Sequence, residues 1–216
     1  GLMERFATLL GRREEAAAFA ARRKSVAAAI NRVFRDEETG DYAGGSQGSN
    51  VFALYLGLVP AQDTARVAAR VDEDVRRRGY HLTTGNLMTK YLLEVLTAYG
   101  YLETAYRLVV QTTYPSWGYM LSKDATTIWE RWNSIQPDGS FNPANMNSLN
   151  HYAYGSIGSW LYTKLCGLEI LESGYKRFAL HPQFIQGITH AGLEYESVSR
   201  DSGTRACRFR REKGRS

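Results

Sequence analysis

Apolar residues along the first half of the chain recur at helical intervals. Between residues 13 and 34, Phe19, Val26, Ile30 and Val33 fall at three-, four- and seven-residue steps with Ala between them, which predicts one long amphipathic helix. Residues 36–45 are turn-rich. A second helix is expected over 47–58, closed by Pro60. A third is expected over 61–78, with Val67, Val71 and Val75 on one face and Gly79 after it. A fourth spans 86–99 on the stripe Met88, Leu92, Val95 and Tyr99, and a fifth spans 102–112.

Pro and Gly then break the pattern, and residues 114–119 read as a loop. Residues 129–132 are expected as a short helix and 133–146 as a loop turning at Pro137-Asp138-Gly139. A last long helix is expected over 150–171, with Tyr154, Ile157, Leu161, Leu165 and Leu168 as its stripe. Beyond Gly174 the period shortens to two, predicting strands over 176–180 and 193–198, and residues 208–216 are too basic and polar to bury. The domain division follows: 1–173 as a helical body and 174–216 as the start of a β domain with a frayed basic tail.

Composition narrows the function classes. The chain has 216 residues, ordinary hydrophobic content, fourteen Tyr and four Trp, which suits a folded body rather than a disordered one. Its net charge is +5. Seven cations against four carboxylates from Glu194 onward supply +3 of that, so the body is close to neutral. Arg12, Arg13, Arg22, Arg23 and Lys24 are interleaved with Glu14 and Glu15, a solvated face rather than a nucleic-acid stripe. No apolar run reaches membrane-spanning length, and no membrane partner is expected. Cys166 and Cys207 have neither metal nor redox spacing, no phosphate loop is present, and neither metal nor cofactor is expected. The chain opens inside a helical pattern with no leader segment, a reading that leans to the cytoplasm with a natural start elsewhere.

The chemistry gathers late in the chain. In Thr126-Thr127-Ile128-Trp129-Glu130-Arg131-Trp132 one carboxylate lies between two indoles with an arginine beside it. Indole faces stack on the C–H faces of a pyranose, and a carboxylate takes a proton from water, so the pattern points to glycoside hydrolysis. Glu130 is the candidate general base, and Arg131, if the two side chains converge, helps keep it ionised. Trp129 and Trp132 are candidate platforms, of which a short helix would turn one into a cleft. Trp117 sits on the Pro/Gly loop, and His151 stands beside Asn147 and Asn150 where the last helix begins. Thr84 reads as a helix cap, and Gln47 is left open between capping and binding. A second carboxylate for the acid role is not found: Asp124 is too near in sequence, Glu94 lies inside a helix, and Asp36, Glu37, Glu38 and Asp41 form a solvated loop.

Five ordered motifs resemble the bacterial α-L-rhamnosidases of glycoside hydrolase family 78. They are Gly40-Asp41-Tyr42 with Ser46-Gln47, His81-Leu82-Thr83-Thr84-Gly85, Tyr114-Pro115-Ser116-Trp117-Gly118-Tyr119-Met120, the Trp-Glu-Arg-Trp segment, and Asn147-Ser148-Leu149-Asn150-His151-Tyr152-Ala153-Tyr154-Gly155. The resemblance implies a mainly α fold, about half of an (α/α)6 six-hairpin barrel, followed by a short β segment. It implies inverting release of terminal α-L-rhamnose from a rhamnose-containing glycoside or oligosaccharide, with the catalytic base on Glu130 and a sugar-binding histidine on His151. Trp117, Trp129 and Trp132 would lie in or beside the cleft. The family's acid belongs to an upstream barrel half, so a missing N-terminal half of the same enzyme is expected and the isolated chain is expected to be inactive. Residues from Ser199 onward do not read like the family's next strands. Two rivals stay open: another six-hairpin glycosidase acting on a different sugar, and a non-catalytic carbohydrate-binding or helical scaffold. The scaffold predicts Glu130 buried in an ion pair, with Trp117 and His151 far apart.

Overall fold

The computed structural model describes residues 1–195 and the backbone of residues 205–210. The chain divides into two compact units, Gly1–Val71 and Asp72–Ser216.

In the first unit, α1 (Leu2–Leu9) and α2 (Arg13–Phe34) pack as a hairpin. The helix expected over 13–34 is present to the residue, but its stripe is only partly covered: Val26 is 50% exposed and Val33 is 64% exposed. Helix α3 (Gln47–Tyr55) is capped by Ser46, whose hydroxyl accepts the Ser49 N–H at 3.2 Å. It buries Val51, Ala53 and Leu54. It stops three residues short of the expected end, where Gly57 takes a left-handed conformation.

In the loop before α3, Asp36, Glu37 and Glu38 are exposed as expected, while Asp41 is drawn partly inward. Asp41 accepts hydrogen bonds from Arg70 (2.9 Å) and from the Asn50 amide (3.0 Å), and Asn50 in turn accepts the Tyr42 N–H at 2.9 Å. Four polar groups thereby satisfy one another where an apolar contact would leave main chain unpaired. Helix α4 (Thr64–Arg77) carries Val67, Val71 and Val75 on one buried face, as the four-residue spacing requires.

In the second unit, α5 (Thr89–Ala98) and α6 (Leu102–Val109) form a hairpin closed at Gly100. Leu92, Leu93, Val95, Leu96, Ala105 and Leu108 are its core. Residues 114–119, expected as a loop, contain α7 (Trp117–Leu121). Ser116 caps it by accepting the Tyr119 N–H at 2.9 Å, which supplies the partner that makes so short a helix worth forming. Gly118 lies against the preceding segment so closely that a Cβ would stand 2.4 Å from the Gln111 carbonyl oxygen and 2.8 Å from Thr112 Cα.

The helix expected over 150–171 is shorter and irregular. A 3-10 turn (Ala153–Ser156), α8 (Ile157–Trp160) and a π turn (Leu161–Leu165) follow one another, and Trp160 Nε1 donates to Thr97 Oγ1 at 2.9 Å. Gly167 ends the run in a left-handed conformation. From there β1 (Leu168–Ile170) pairs antiparallel with β2 (Phe178–Leu180). Leu168 therefore belongs to a sheet rather than to the helix stripe, because main-chain partners on residues 178–180 complete its hydrogen bonding. A second two-stranded sheet joins β3 (His190–Tyr195) to β4 (Arg205–Arg210). Residues 208–210, expected to be frayed, are part of β4; residues 196–198 of the expected strand and the tail from 211 lie outside the described residues. Cys166, Leu168 and Leu193 form a small buried cluster, so Cys166 is the buried apolar residue expected.

Candidate active site

The Trp-Glu-Arg-Trp segment is extended and turning, not helical. Its main chain is engaged by the Asn147–His151 segment instead. The Glu130 N–H donates to the Ser148 carbonyl (2.9 Å), the His151 N–H donates to the Ile128 carbonyl (2.7 Å), and the Thr127 hydroxyl donates to the Leu149 carbonyl. A helix this short carries its full nucleation cost, and these cross-segment bonds replace it. The two clusters that stand out in the sequence are thus zipped to each other.

Glu130, Arg131 and Trp132 line one cavity of about 280 Å³ together with Gly85, Asn86, Tyr114, Asn133 and Tyr154. Glu130 is the one carboxylate among these lining residues. Its Oε2 accepts the Ser148 N–H at 2.8 Å, and among the described residues it forms no ion pair. Arg131 does not pair with it: its Nε donates to the Met146 carbonyl at 2.6 Å, which ties down the loop between the two motifs.

The tryptophans are placed differently from one another. Trp132 is buried, donates from Nε1 to the Thr84 carbonyl at 2.9 Å and stacks on Tyr154 with ring centroids 3.8 Å apart. Trp117 meets Trp132 edge-on at 5.1 Å and donates to the Tyr154 carbonyl at 2.9 Å, so it stands behind the wall rather than in it. Trp129 is 2% exposed and packs in the core, away from the lining. Thr84 does not cap α5. It is buried, shares a 2.9 Å hydrogen bond with the Thr89 hydroxyl, and serves Trp132 through its carbonyl. Gln47 is buried in the first unit.

His151 sits next to this segment but is not among the residues lining the cavity. Its Nδ1 accepts the Ala153 N–H at 3.3 Å and its ring stacks on Tyr152 at 5.1 Å. The acceptor role of Nδ1 leaves Nε2 to carry the proton of the neutral ring.

Tyr154 is a wall residue that the sequence placed on a helix stripe and in the last motif, with no role in the site. Burial, and after it the neighbouring Tyr114 phenol, push its phenol up to about 12, so it remains an O–H donor throughout the neutral range. Its membership of the last motif is the signal that could have marked it. Tyr114 carried the same signal as the first residue of the third motif, whereas Asn86, one residue past the His81–Gly85 motif, carried none.

Among the described residues no group of three or more His, Cys, Asp or Glu is placed to hold a metal ion. No helix among them is long and apolar enough to cross a membrane.

In the second unit a helical hairpin accompanies a loop-built cavity whose one lining carboxylate, without an ion pair among the described residues, is set among aromatic rings, an arrangement of the glycosidase-type helical domains. The chain belongs to the bacterial alpha-L-rhamnosidase 6 hairpin glycosidase domain family, whose family model matches residues 1–165. It is 42% identical over 166 residues to an alpha-L-rhamnosidase of Streptomyces avermitilis, covering 77% of this chain and 16% of that protein. It is 41% identical over 182 residues to one of Formosa agariphila, covering 84% of this chain and 20% of that protein. The chain therefore spans between 16% and 20% of the length of these curated relatives.

Among solved structures, it superposes on Streptomyces avermitilis alpha-L-rhamnosidase complexed with L-rhamnose with a TM-score of 0.86 at 37% identity, covering 98% of this chain and 20% of that one. On the alpha-L-rhamnosidase of Aspergillus terreus the TM-score is 0.89 at 29% identity, covering 96% of this chain and 24% of that one. The mainly α, six-hairpin fold expected from the motifs is the fold of this family.

Proposed function

We propose that this chain is the base-bearing part of an α-L-rhamnosidase that releases terminal α-L-rhamnose with inversion. Glu130 deprotonates the water that attacks the anomeric carbon, while a carboxylic acid from outside this chain protonates the leaving oxygen. The observation that carries the reading is the state of the Glu130 carboxylate. It faces the cavity without an ion pair among the described residues, and one oxygen is fixed by the Ser148 N–H, which leaves the other for a water molecule. A scaffold role would have predicted an ion-paired Glu130, so this arrangement favours the enzyme.

Arg131, Trp132 and Trp117 support the sugar site from its wall and from behind it, and His151 supplies an Nε2 donor at its border. Trp129 holds the segment from within the core. The missing N-terminal half of the same enzyme would bring the acid and would also cover Leu9, Leu10 and Val33, which are exposed at 82%, 71% and 64%. We read 1–173 as the C-terminal half of the catalytic domain and 174–216 as the beginning of a β-sandwich-like domain, with β1 as its link to the helices.

Glu130→Gln in the full-length enzyme tests the reading. Glutamine keeps an oxygen to accept the Ser148 N–H, so folding is expected to be unchanged. Hydrolysis of p-nitrophenyl α-L-rhamnoside is expected to fall by about 10²–10⁴-fold or more. Near-normal turnover by this variant would overturn the assignment.

A further inference from the structure

The tryptophans that mark this site in the sequence are not its accessible aromatic surface. Trp117, Trp129 and Trp132 are all buried, and one face of Trp132 is taken by Tyr154. The lining residue with an open ring is Tyr114, which is 50% exposed and is braced edge-on by Tyr119 with centroids 5.4 Å apart. A ring held by a second ring keeps its orientation, which is what a stacking contact with a sugar requires. Tyr114 also shares its electrostatic surroundings with Tyr154, whose phenol it helps to keep protonated.

A second oddity lies in the same cavity. Asn86 is a lining residue, and its Oδ1 is buried with no hydrogen-bond partner among the described residues. A buried acceptor left without a donor keeps its desolvation penalty uncompensated, so such an atom needs an explanation. The terminal torsion of asparagine is soft, and a half-turn presents either end of the carboxamide to the cavity. A hydroxyl-rich ligand would supply the missing donor.

We propose that Tyr114 and Asn86 are sugar-recognition residues of this cavity: Tyr114 stacks on the C–H face of the ring, and Asn86 accepts a hydrogen bond from one of its hydroxyls. The proposal rests on the glycosidase reading above but uses neither Glu130 nor the tryptophans. It assigns binding to residues on the side of the cavity formed by the segments that precede α5 and α7.

The test is steady-state kinetics of the full-length enzyme and its Tyr114→Ala, Tyr114→Phe and Asn86→Leu variants on a panel of p-nitrophenyl glycosides, with melting temperatures measured alongside. Tyr114→Ala and Asn86→Leu are each expected to raise KM for the α-L-rhamnoside about tenfold, and Tyr114→Phe to leave it within about threefold. Asn86→Leu is expected to melt no lower than the wild type, because it removes an unsatisfied oxygen. A merely structural asparagine would not give that combination.

An active wild type with KM unmoved in either Tyr114→Ala or Asn86→Leu overturns this inference and leaves the proposed function standing. A wild type active only on another glycoside overturns the rhamnose assignment, and the same KM comparison on that glycoside then decides the inference. A wild type that hydrolyses none of the panel overturns both.

Discussion

The main chain of Ser148 grips Glu130 twice. Its carbonyl accepts the Glu130 N–H at 2.9 Å, and its N–H donates to the Glu130 carboxylate at 2.8 Å. One residue thus fixes both where the glutamate leaves the backbone and where its carboxylate ends. The Ser148 hydroxyl takes no part in this; it is occupied with Asn150.

This division of labour separates two substitutions in the full-length enzyme. Glu130→Asp withdraws the carboxylate by one methylene, about 1.5 Å, from both the Ser148 N–H and the reacting water. A misplacement of that size is expected to cost about 10²-fold in kcat. Ser148→Ala keeps both main-chain bonds and is expected to stay within about threefold of wild type. Rate measurements on the two variants check the claim, and it fails if Ser148→Ala loses as much activity as Glu130→Asp.

The close approach at Gly118 sets up the wall behind the cavity. Trp117 reaches Tyr154 and Trp132 only because the start of α7 rests directly on residues 111–112. An alanine there would put its Cβ against main chain, which has no flexible end to swing aside. Gly118→Ala is expected to destabilise the protein by about 2 kcal/mol, lowering its melting temperature by roughly 4–8 °C. Calorimetry that finds the wild-type melting temperature would show that the two segments can part without cost.

Local periodicity made much of the fold legible, and long-range pairing made the rest illegible. Val67, Val71 and Val75 read as a helix face because spacing and burial are there the same fact. Glu130 stood out for its chemistry, yet the conformation around it is dictated by hydrogen bonds to residues 148–151, which no window around residue 130 contains. Leu168 fits a helix stripe by spacing and is drawn into β1 by partners at 178–180. The roles of Trp117, Trp129 and Trp132 were ambiguous for a related reason: an indole suits a sugar platform and a core equally well, and only burial decides between them. Asn86 was invisible as a site residue because it lies outside every motif, and Tyr114, inside one, was overshadowed by Trp117, whose indole is the more familiar sugar platform.

Tyr154 makes the cavity wall sensitive to alkaline pH. Its phenol is raised from 10.0 to about 12, chiefly by burial beneath Trp132 and the other rings. Between these two values the unfolded chain has released the proton and the folded protein still holds it. The unfolded state then binds fewer protons, so stability is complete below pH about 10 and falls as pH rises toward about 12. The loss attributable to this residue is roughly 2–3 kcal/mol. Tyr154→Phe removes the titrating group while keeping the stacked ring, and is expected to flatten the stability profile over that interval by the same amount. Tyr42 and Tyr119 are also raised by burial, but they are common to both proteins and cancel in the difference. Denaturant unfolding at a series of pH values from about 9 to 12 measures it, and parallel profiles for the two proteins would show that the Tyr154 phenol is wet in solution and free to ionise in place.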